Sequence, residues 1–171
     1  GDVHLVAAPE ALERAMADIL ADEVVGFDTE TRPAFRKGES YLPSLAQVAT
    51  SRAVYLFQLQ RQDFSAPMRA MLGAERTLKA GVSLADDLKN LGRMFPFEPR
   101  AMVDVGHVAR RHGLKQTGVR NLAGILLGFR IPKGAKTTNW AAPRLTAQQI
   151  QYAATDAWAC RELLLRFRHL G

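Results

Sequence analysis

The sequence predicts an α/β domain built on a mixed β-sheet. Two short apolar runs, residues 45–50 and 53–59, are separated only by Ser51 and Arg52, which is typical of a β-hairpin. Beyond this hairpin, segments with helical apolar spacing alternate with short strand-like runs. An antiparallel hairpin followed by alternating helices and strands indicates that one sheet contains both kinds of strand pairing.

The remaining elements follow in order along the chain. Residues 9–20 have apolar spacing suited to a helix, and the run at 24–28 is typical of a buried strand. After the hairpin we expect a helix at 66–72, a strand at 77–82, a helix at 84–95, a strand at 101–104, helices at 105–112 and 119–127, an irregular loop at 130–144 and a long helix at 146–169.

Composition is consistent with one globular domain over residues 1–171. The chain is 47% apolar, which is enough for a core, and it contains no internal repeat or Ser/Gly-rich linker. The single cysteine, Cys160, excludes an internal disulfide and favours a reducing, cytoplasmic compartment. No secretory leader and no 18-residue apolar span occurs, so we expect no membrane partner.

The positive charge of the chain is concentrated in one segment. The net charge is +6, and residues 105–155 contain eight Lys and Arg but no Asp or Glu. Such a segment suits a polyanion, and nucleic acid is the partner that this charge predicts. A solvated surface that only aids solubility is the alternative.

Two carboxylates stand at alternate positions where the first buried strand ends. Side chains two apart on a strand point the same way, so Asp28 and Glu30 lie side by side and repel each other. Acids after a strand also begin turns, which is the alternative explanation for this pair.

The helix expected at 84–95 carries two adjacent acids with different environments. Ser83 and Asp86 have the spacing of a capping box, which explains Asp86 structurally. On a helical wheel Asp86 falls nearly opposite the apolar stripe, whereas Asp87 lies on its border. Of the pair, Asp87 is therefore predicted to face the interior.

The last helix places a tyrosine and an acid on its core-facing stripe. Tyr152 and Asp156 are four residues apart, and Cys160, Leu163 and Phe167 continue the same face. A buried lone carboxylate is unfavourable unless it is neutralised, paired with a cation or bound to a metal. A structural ion pair with an arginine is the alternative for Asp156.

Taken together, the four acids favour a metal site. Carboxylate oxygens without His or Cys suit Mg²⁺ or Mn²⁺, and four carboxylates can hold two such ions. Two ions held in this way are typical of phosphodiester hydrolysis. Tyr152 would then hold the attacking water or accept its proton.

These residues resemble a known family pattern. Three segments, FDTE at 27–30, GVSLADDLKNL at 81–91 and YAATDA at 152–157, resemble in order the three exonuclease motifs of the DEDD superfamily. Tyr152, four residues before Asp156, is similar to the tyrosine of one subgroup. The segments at 103–133 and 137–160 resemble ribonuclease D and Werner-syndrome-type exonuclease domains, and the likeness covers about residues 24–165.

The resemblance implies a ribonuclease H-like fold, with a mixed five-stranded sheet flanked by helices. It also implies 3′-5′ removal of nucleoside monophosphates with two divalent metal ions, Mg²⁺ or Mn²⁺. By position it assigns metal binding to Asp28, Glu30, Asp87 and Asp156, and orientation of the water to Tyr152. The helical wheel and the motif thus select the same member of the Asp86 and Asp87 pair.

The expected substrate is single-stranded or frayed nucleic acid, DNA or RNA, with a free 3′ end. Grooves for such strands combine cations with stacking aromatic rings. The candidate contacts are Arg36, Lys37, Lys133, Lys136, Trp140 and Arg144. Trp140 either stacks on a base or anchors its loop to the domain. The alternative function is a nuclease-like module that binds nucleic acid with weak or no catalysis.

Overall fold

The computed structural model describes residues 2–132 and 134–170, and six strands form one mixed sheet in the order β1-β4-β3-β2-β5-β6. The strands are β1 (Asp2–Leu5), β2 (Val24–Glu30), β3 (Leu45–Ala49), β4 (Ala53–Gln58), β5 (Leu78–Gly81) and β6 (Met102–Asp104). The helices are α1 (Pro9–Ala21), α2 (Ser65–Leu72), α3 (Leu84–Gly92), α4 (Val105–Arg111), α5 (Val119–Leu122) and α6 (Ala147–Leu170), with a π-helical turn at Ala123–Leu127 after α5.

Strand pairing confirms the mixed sheet and corrects its size. β2 pairs antiparallel with β3 and parallel with β5, while β3 and β4 form the antiparallel hairpin. The sheet has six strands rather than the expected five, because β1 pairs parallel with β4 at the edge. All four residues of β1 are exposed, and the alternation of Val3 and Leu5 with polar residues is too short to mark a strand in the sequence.

Helices cover both faces of the sheet, and β2 runs through the middle. Val25 and Phe27 point into a core built with α1, α2 and α3. Val24 points to the other face, into a core that includes Leu163 and Phe167 of α6. This alternation of side chains along β2 decides which helix each residue near its end can reach.

Gly26 allows α6 to pack directly on β2. A Cβ atom at Gly26 would lie 1.9 Å from the carbonyl oxygen of Ala157, a separation that real contacts do not reach. The helix backbone therefore lies against the strand backbone at this position. The contact lies two residues before Asp28 and one residue after Asp156.

The expected elements are present, with shifts of a few residues at their ends. β2 continues to Glu30 rather than ending at Asp28, and α3 ends at Gly92. The helix expected at 119–127 is a short α-helix followed by the π-helical turn, and described residues of 130–144 form an irregular loop. Among the described residues, no helix combines the length and apolar character needed to cross a membrane.

Candidate active site

Three carboxylates meet between the end of β2 and the middle of α6. One ligand oxygen from each of Asp28, Glu30 and Asp156 lies within 4.8 Å of the others. Asp28 and Glu30 share the strand face that packs on α6, and Gly26 holds that helix close to the strand. Asp156 is only 3% exposed and belongs to the core-facing stripe of α6, as the sequence predicts.

Asp87 approaches the same place from the other side of β2. Thr29 points to the opposite face from its neighbours, and its hydroxyl donates a hydrogen bond of 2.6 Å to Oδ1 of Asp87. Asp87 is half-buried in the first turn of α3, whereas Asp86 is exposed. The prediction that Asp87 faces the interior is therefore confirmed, although its carboxylate is not part of the group of three.

The turn that begins α3 differs from the expected capping box. Ser83 has the left-handed backbone conformation, with φ of 57°, and its side chain makes no capping hydrogen bond. The free backbone N–H of Leu84 instead donates to Oδ2 of Asp104 at 3.1 Å. Asp104 also accepts from the N–H of Gly106, so it ties the first turn of α3 to the start of α4.

Burial and mutual repulsion raise the pKa values of the carboxylates. Burial, followed by the charges of Glu30, Asp156 and Asp87, raises the pKa of Asp28 well above its usual range. Burial, the charge of Asp156 and a hydrogen bond to Asp156 raise the pKa of Glu30 to about 9. Burial also raises the pKa of Asp87 and that of Asp156 to about 6 each. Among the described residues, burial and mutual repulsion thus outweigh the nearby positive charges and hydrogen bonds.

The carboxylates lie in a cavity of about 730 Å³ that is open to solvent. Tyr152 lines it one helical turn before Asp156, and its ring packs near Trp140 with centroids 6.1 Å apart. Burial and then the charges of Asp156, Glu30 and Asp28 raise the pKa of Tyr152 above its ordinary value of 10.0. The phenol therefore keeps its proton at neutral pH.

The donor set fits a hard divalent cation. Oδ1 of Asp156 is buried and has no hydrogen-bond partner among the described residues, which is unfavourable for a carboxylate oxygen unless a cation meets it. None of the described residues that line the cavity is a histidine. The cavity also contacts Cys160, but burial raises the pKa of this thiol and keeps it protonated. Oxygen ligands alone suit Mg²⁺ or Mn²⁺.

Two cations line the same cavity. Lys136 was expected near the substrate, and it lies on the cavity wall. Arg120 also lines the cavity, and its charge, like that of Lys136, lowers the pKa of Asp156. Sequence reasoning missed Arg120, since the only signal for it is its place in the acid-free segment at 105–155, which has eight basic residues.

The other expected nucleic-acid contacts lie in different surroundings. Trp140 is 1% exposed and its indole N–H donates to the carbonyl oxygen of Lys136, which favours the second alternative for this residue, an anchor of its loop, over base stacking. Arg36 lines a separate cavity of about 330 Å³. Lys37 and Arg144 are exposed and do not line the carboxylate cavity, and Lys133 lies outside the described residues.

One exposed aromatic ring near Arg36 was not singled out in the sequence. Phe35 is 82% exposed and lines the same 330 Å³ cavity. The signal for it was weak, since it is a single aromatic residue in a polar segment between β2 and β3.

Comparison with known proteins identifies a family over nearly the whole chain. Residues 3–170 match the family model described as 3′-5′ exonuclease. This match includes β2, α3 and α6, the three elements that carry the carboxylates.

Two curated relatives are similar in sequence. The ribonuclease D of Haemophilus influenzae is 37% identical over 138 residues, which cover 78% of this chain and 33% of that protein. The bifunctional 3′-5′ exonuclease/ATP-dependent helicase WRN of Mus musculus is 30% identical over 156 residues, which cover 87% of this chain and 11% of that protein. The chain thus spans a third or less of the length of these relatives.

A solved structure has the same fold. The Nibbler EXO domain of Aedes aegypti superposes with a TM-score of 0.87 at 21% sequence identity, covering 98% of this chain and 87% of that one. At this identity the similarity concerns the fold, and it confirms the expected ribonuclease H-like arrangement of sheet and helices.

Proposed function

Because the chain belongs to the 3′-5′ exonuclease family, in its ribonuclease D and Werner type, we propose that it removes nucleoside monophosphates one at a time from the 3′ end of nucleic acid. The observation that carries this proposal is the meeting of Asp28, Glu30 and Asp156 within 4.8 Å. In each cycle water attacks the last phosphorus atom. The bond from that phosphorus to the 3′ oxygen of the preceding nucleotide breaks, which leaves a new 3′ hydroxyl on the strand.

Four carboxylates would hold two divalent metal ions, Mg²⁺ or Mn²⁺. Asp28, Glu30 and Asp156 are the ligands on the α6 side, and Asp87 is the ligand from α3. The chemistry that such ions supply when bound is activation of water and stabilisation of charge on the leaving oxygen. The unpartnered, buried Oδ1 of Asp156 supports this assignment, because a carboxylate oxygen in that position needs a cation.

Tyr152 orients the attacking water in this proposal. Its position in the cavity, one turn before Asp156, supports the role. Since its pKa is raised above 10.0, the phenol stays protonated and acts through a hydrogen bond to the water rather than as a base.

The substrate is proposed to be single-stranded or frayed DNA or RNA with a free 3′ end, and the whole chain, 1–171, to act as one exonuclease domain. Lys136 on the cavity wall supports a polyanionic substrate, since its charge reaches Asp156. The segment around Arg36, with the exposed ring of Phe35, supports a second contact farther along the strand.

The test is the stepwise shortening of 5′-labelled oligonucleotides that end in a 3′ hydroxyl. DNA and RNA of matched sequence, as single strands and with recessed 3′ ends, are incubated with Mg²⁺ or Mn²⁺. We expect nucleoside 5′-monophosphate products and their loss in the Asp156→Asn variant. Asp156→Asn protein that digests as fast as the parent would contradict the assignment of this residue.

The adjacent acids on α3 supply a matched control. Asp87→Asn should abolish shortening, because Asp87 is a proposed metal ligand that Thr29 holds by a hydrogen bond. Asp86→Asn should retain most of it, because Asp86 is exposed at the edge of the cavity and is not a proposed ligand. Oligonucleotide binding without product at any tested metal ion would instead favour the binding-only alternative.

A further inference from the structure

Arg120, at the start of α5, is half-buried, and a single hydrogen bond holds its guanidinium group. Arg120 lines the carboxylate cavity, and its Nε–H donates a hydrogen bond of 3.0 Å to the carbonyl oxygen of Ile131. On the premise of the proposed exonuclease function, we propose that Arg120 binds a phosphate of the substrate strand through its two terminal amino groups.

The hydrogen bond to Ile131 fixes the plane of the guanidinium group without using its outer edge. In the part of the chain that the structure describes, the terminal nitrogens of Arg120 make no hydrogen bond and no ion pair. A guanidinium held at Nε presents two parallel N–H groups, which match two oxygens of one phosphate. Arg120 is therefore oriented for an anion that none of the described residues supplies.

The charges of the cavity also favour a phosphate at this position. Arg120 lines the same cavity as Asp156 and Tyr152, so its guanidinium group faces the place where the strand end would lie. Five carboxylates line the cavity, because the exposed Asp86 joins the four proposed ligands, and Arg120 and Lys136 are the cations among the described lining residues. With two divalent ions bound, the cavity would carry an excess of one positive charge, which one phosphodiester group would match.

A purely structural role is the competing explanation. The hydrogen bond to Ile131 could serve only to hold the loop that follows the π-helical turn. In that case loss of Arg120 would lower the melting temperature but leave the salt dependence of oligonucleotide binding unchanged. A phosphate contact predicts the reverse, because each phosphate neutralised by the protein adds to the salt dependence.

The experiment measures binding of fluorescent ten-nucleotide strands, oligo-dT and oligo-U, by anisotropy over a salt series, with Ca²⁺ in place of Mg²⁺ or Mn²⁺ to limit hydrolysis. For Arg120→Gln we expect affinity about tenfold lower and a slope of log K against log salt that is shallower by about 0.7. Arg166→Gln is the matched control, since Arg166 is exposed on the last turns of α6. It should keep both the affinity and the slope of the parent.

Arg120→Lys separates charge from geometry. It should keep the salt slope of the parent but bind several-fold more weakly, since an ammonium group lacks the two-pronged contact. Should Arg120→Gln fail to fold, Arg120→Lys decides: several-fold weaker binding with the parental salt slope supports the phosphate contact, and parental binding overturns it. The melting temperature does not decide here, because lysine also lacks the Nε–H that donates to Ile131.

Each proposal fails in a distinguishable way. Parent protein that shortens oligonucleotides while Arg120→Gln binds them with unchanged affinity and slope overturns the Arg120 proposal alone. Parent protein that neither binds nor shortens any oligonucleotide overturns the proposed function itself.

Discussion

Carboxylates at the two ends of β2 have opposite pKa shifts, although one is half-buried and the others are largely buried beside the same helix, α6. At the start of the strand, Asp22 accepts a hydrogen bond of 2.8 Å from the N–H of Ser51 and lies 3.7 Å from Nη2 of Arg161. Arg161 also donates to the carbonyl oxygen of Val24. Burial acts to raise the pKa of Asp22, but these hydrogen bonds and the arginine charge outweigh it and hold the pKa below 3.8.

At the other end of β2 the same helix presents Asp156, which among the described residues makes no ion pair within 4.0 Å and accepts no backbone N–H. The charges of Lys136 and Arg120 act on it only from a distance. The pKa values of Asp28, Glu30 and Asp156 are all raised there, and Oδ1 of Asp156 has no hydrogen-bond partner among the described residues. The fold can therefore satisfy an acid beneath α6 when it supplies an arginine. The raised pKa values at the other end are therefore not a general consequence of packing against α6, and they support the proposed cation site.

The largest expected difference between the two ends is in catalysis. Asp28→Ala should lower the rate of oligonucleotide shortening by about a thousandfold or more, since it removes a proposed metal ligand. Asp22→Asn should keep the parental rate, because Asp22 lies at the far end of the strand. Rates from single-turnover assays with Mn²⁺ test this contrast, and equal losses in the two variants would break it.

Metal ions should stabilise the protein by binding at the Asp28 end of β2 and not at the Asp22 end. At a hundred times its Kd, a ligand that binds only the folded state adds about 2.7 kcal/mol to the free energy of unfolding, or roughly 5–10 °C in melting temperature. We expect Mg²⁺ or Mn²⁺ to raise the melting temperature of the parent and of Asp22→Asn. The rise should be much smaller for Asp28→Ala, and differential scanning calorimetry with and without EDTA measures it.

Thr29 positions one carboxylate of the site, so its hydroxyl should matter. Thr29→Val keeps the shape of the side chain but loses the hydrogen bond to Asp87, and we expect a rate about tenfold lower. Thr29→Ser retains a hydroxyl and should recover most of the rate. Calorimetric titration with Mn²⁺ should show weaker binding for Thr29→Val than for Thr29→Ser, whereas identical titrations would count against the positioning role.

The smallest expected effect is the pH dependence of Asp22. Since its pKa is lower in the folded state than the ordinary 3.8, its ionised form adds stability above that pH, and this is lost as the pH falls through the folded value. Asp22→Asn should therefore lower the free energy of unfolding by about 1 kcal/mol at pH 6. Urea denaturation in EDTA should show that the free energies of unfolding of Asp22→Asn and of the parent become equal at acidic pH.

Glu30 should give the opposite sign in the same measurement. Its folded pKa of about 9 exceeds the ordinary 4.5, so its ionisation opposes folding without metal. Glu30→Gln should gain stability over the parent as the pH rises from about 4.5 towards 9. If the free energy of unfolding of Asp22→Asn and that of Glu30→Gln changed with pH in the same way, the contrast between the ends of β2 would be contradicted.

Local sequence patterns were sufficient for the elements that carry the carboxylates. Wheel geometry placed Asp156 on the buried face of α6 and separated Asp87 from Asp86, because helical spacing fixes direction before any tertiary contact forms. The predicted end of β2, residue 28, falls two residues before the observed end. Two charged residues interrupt the apolar pattern there, whereas pairing with β3 continues to Glu30.

The features that were missed depend on contacts between distant parts of the chain. β1 has four exposed residues and is held through its pairing with β4, more than 45 residues away in sequence. The first turn of α3 is satisfied by Asp104, which is 20 residues away, rather than by its neighbour Ser83. Arg120 reaches the cavity because the loop at Ile131 folds back on it. None of these partners can be read from local spacing.

The close contact at Gly26 makes the geometry of the carboxylate site sensitive to substitution at a position outside the site. The separation of α6 from β2, and with it the separation of Asp156 from Asp28, is set by a side chain that is missing. Any larger residue at this position would push the helix away while every proposed ligand remained in the sequence. In a mutational survey Gly26 would therefore score like an active-site residue, although it is not a proposed ligand or substrate contact. A homologue that retains all four acids but has lost this glycine should be suspected of inactivity.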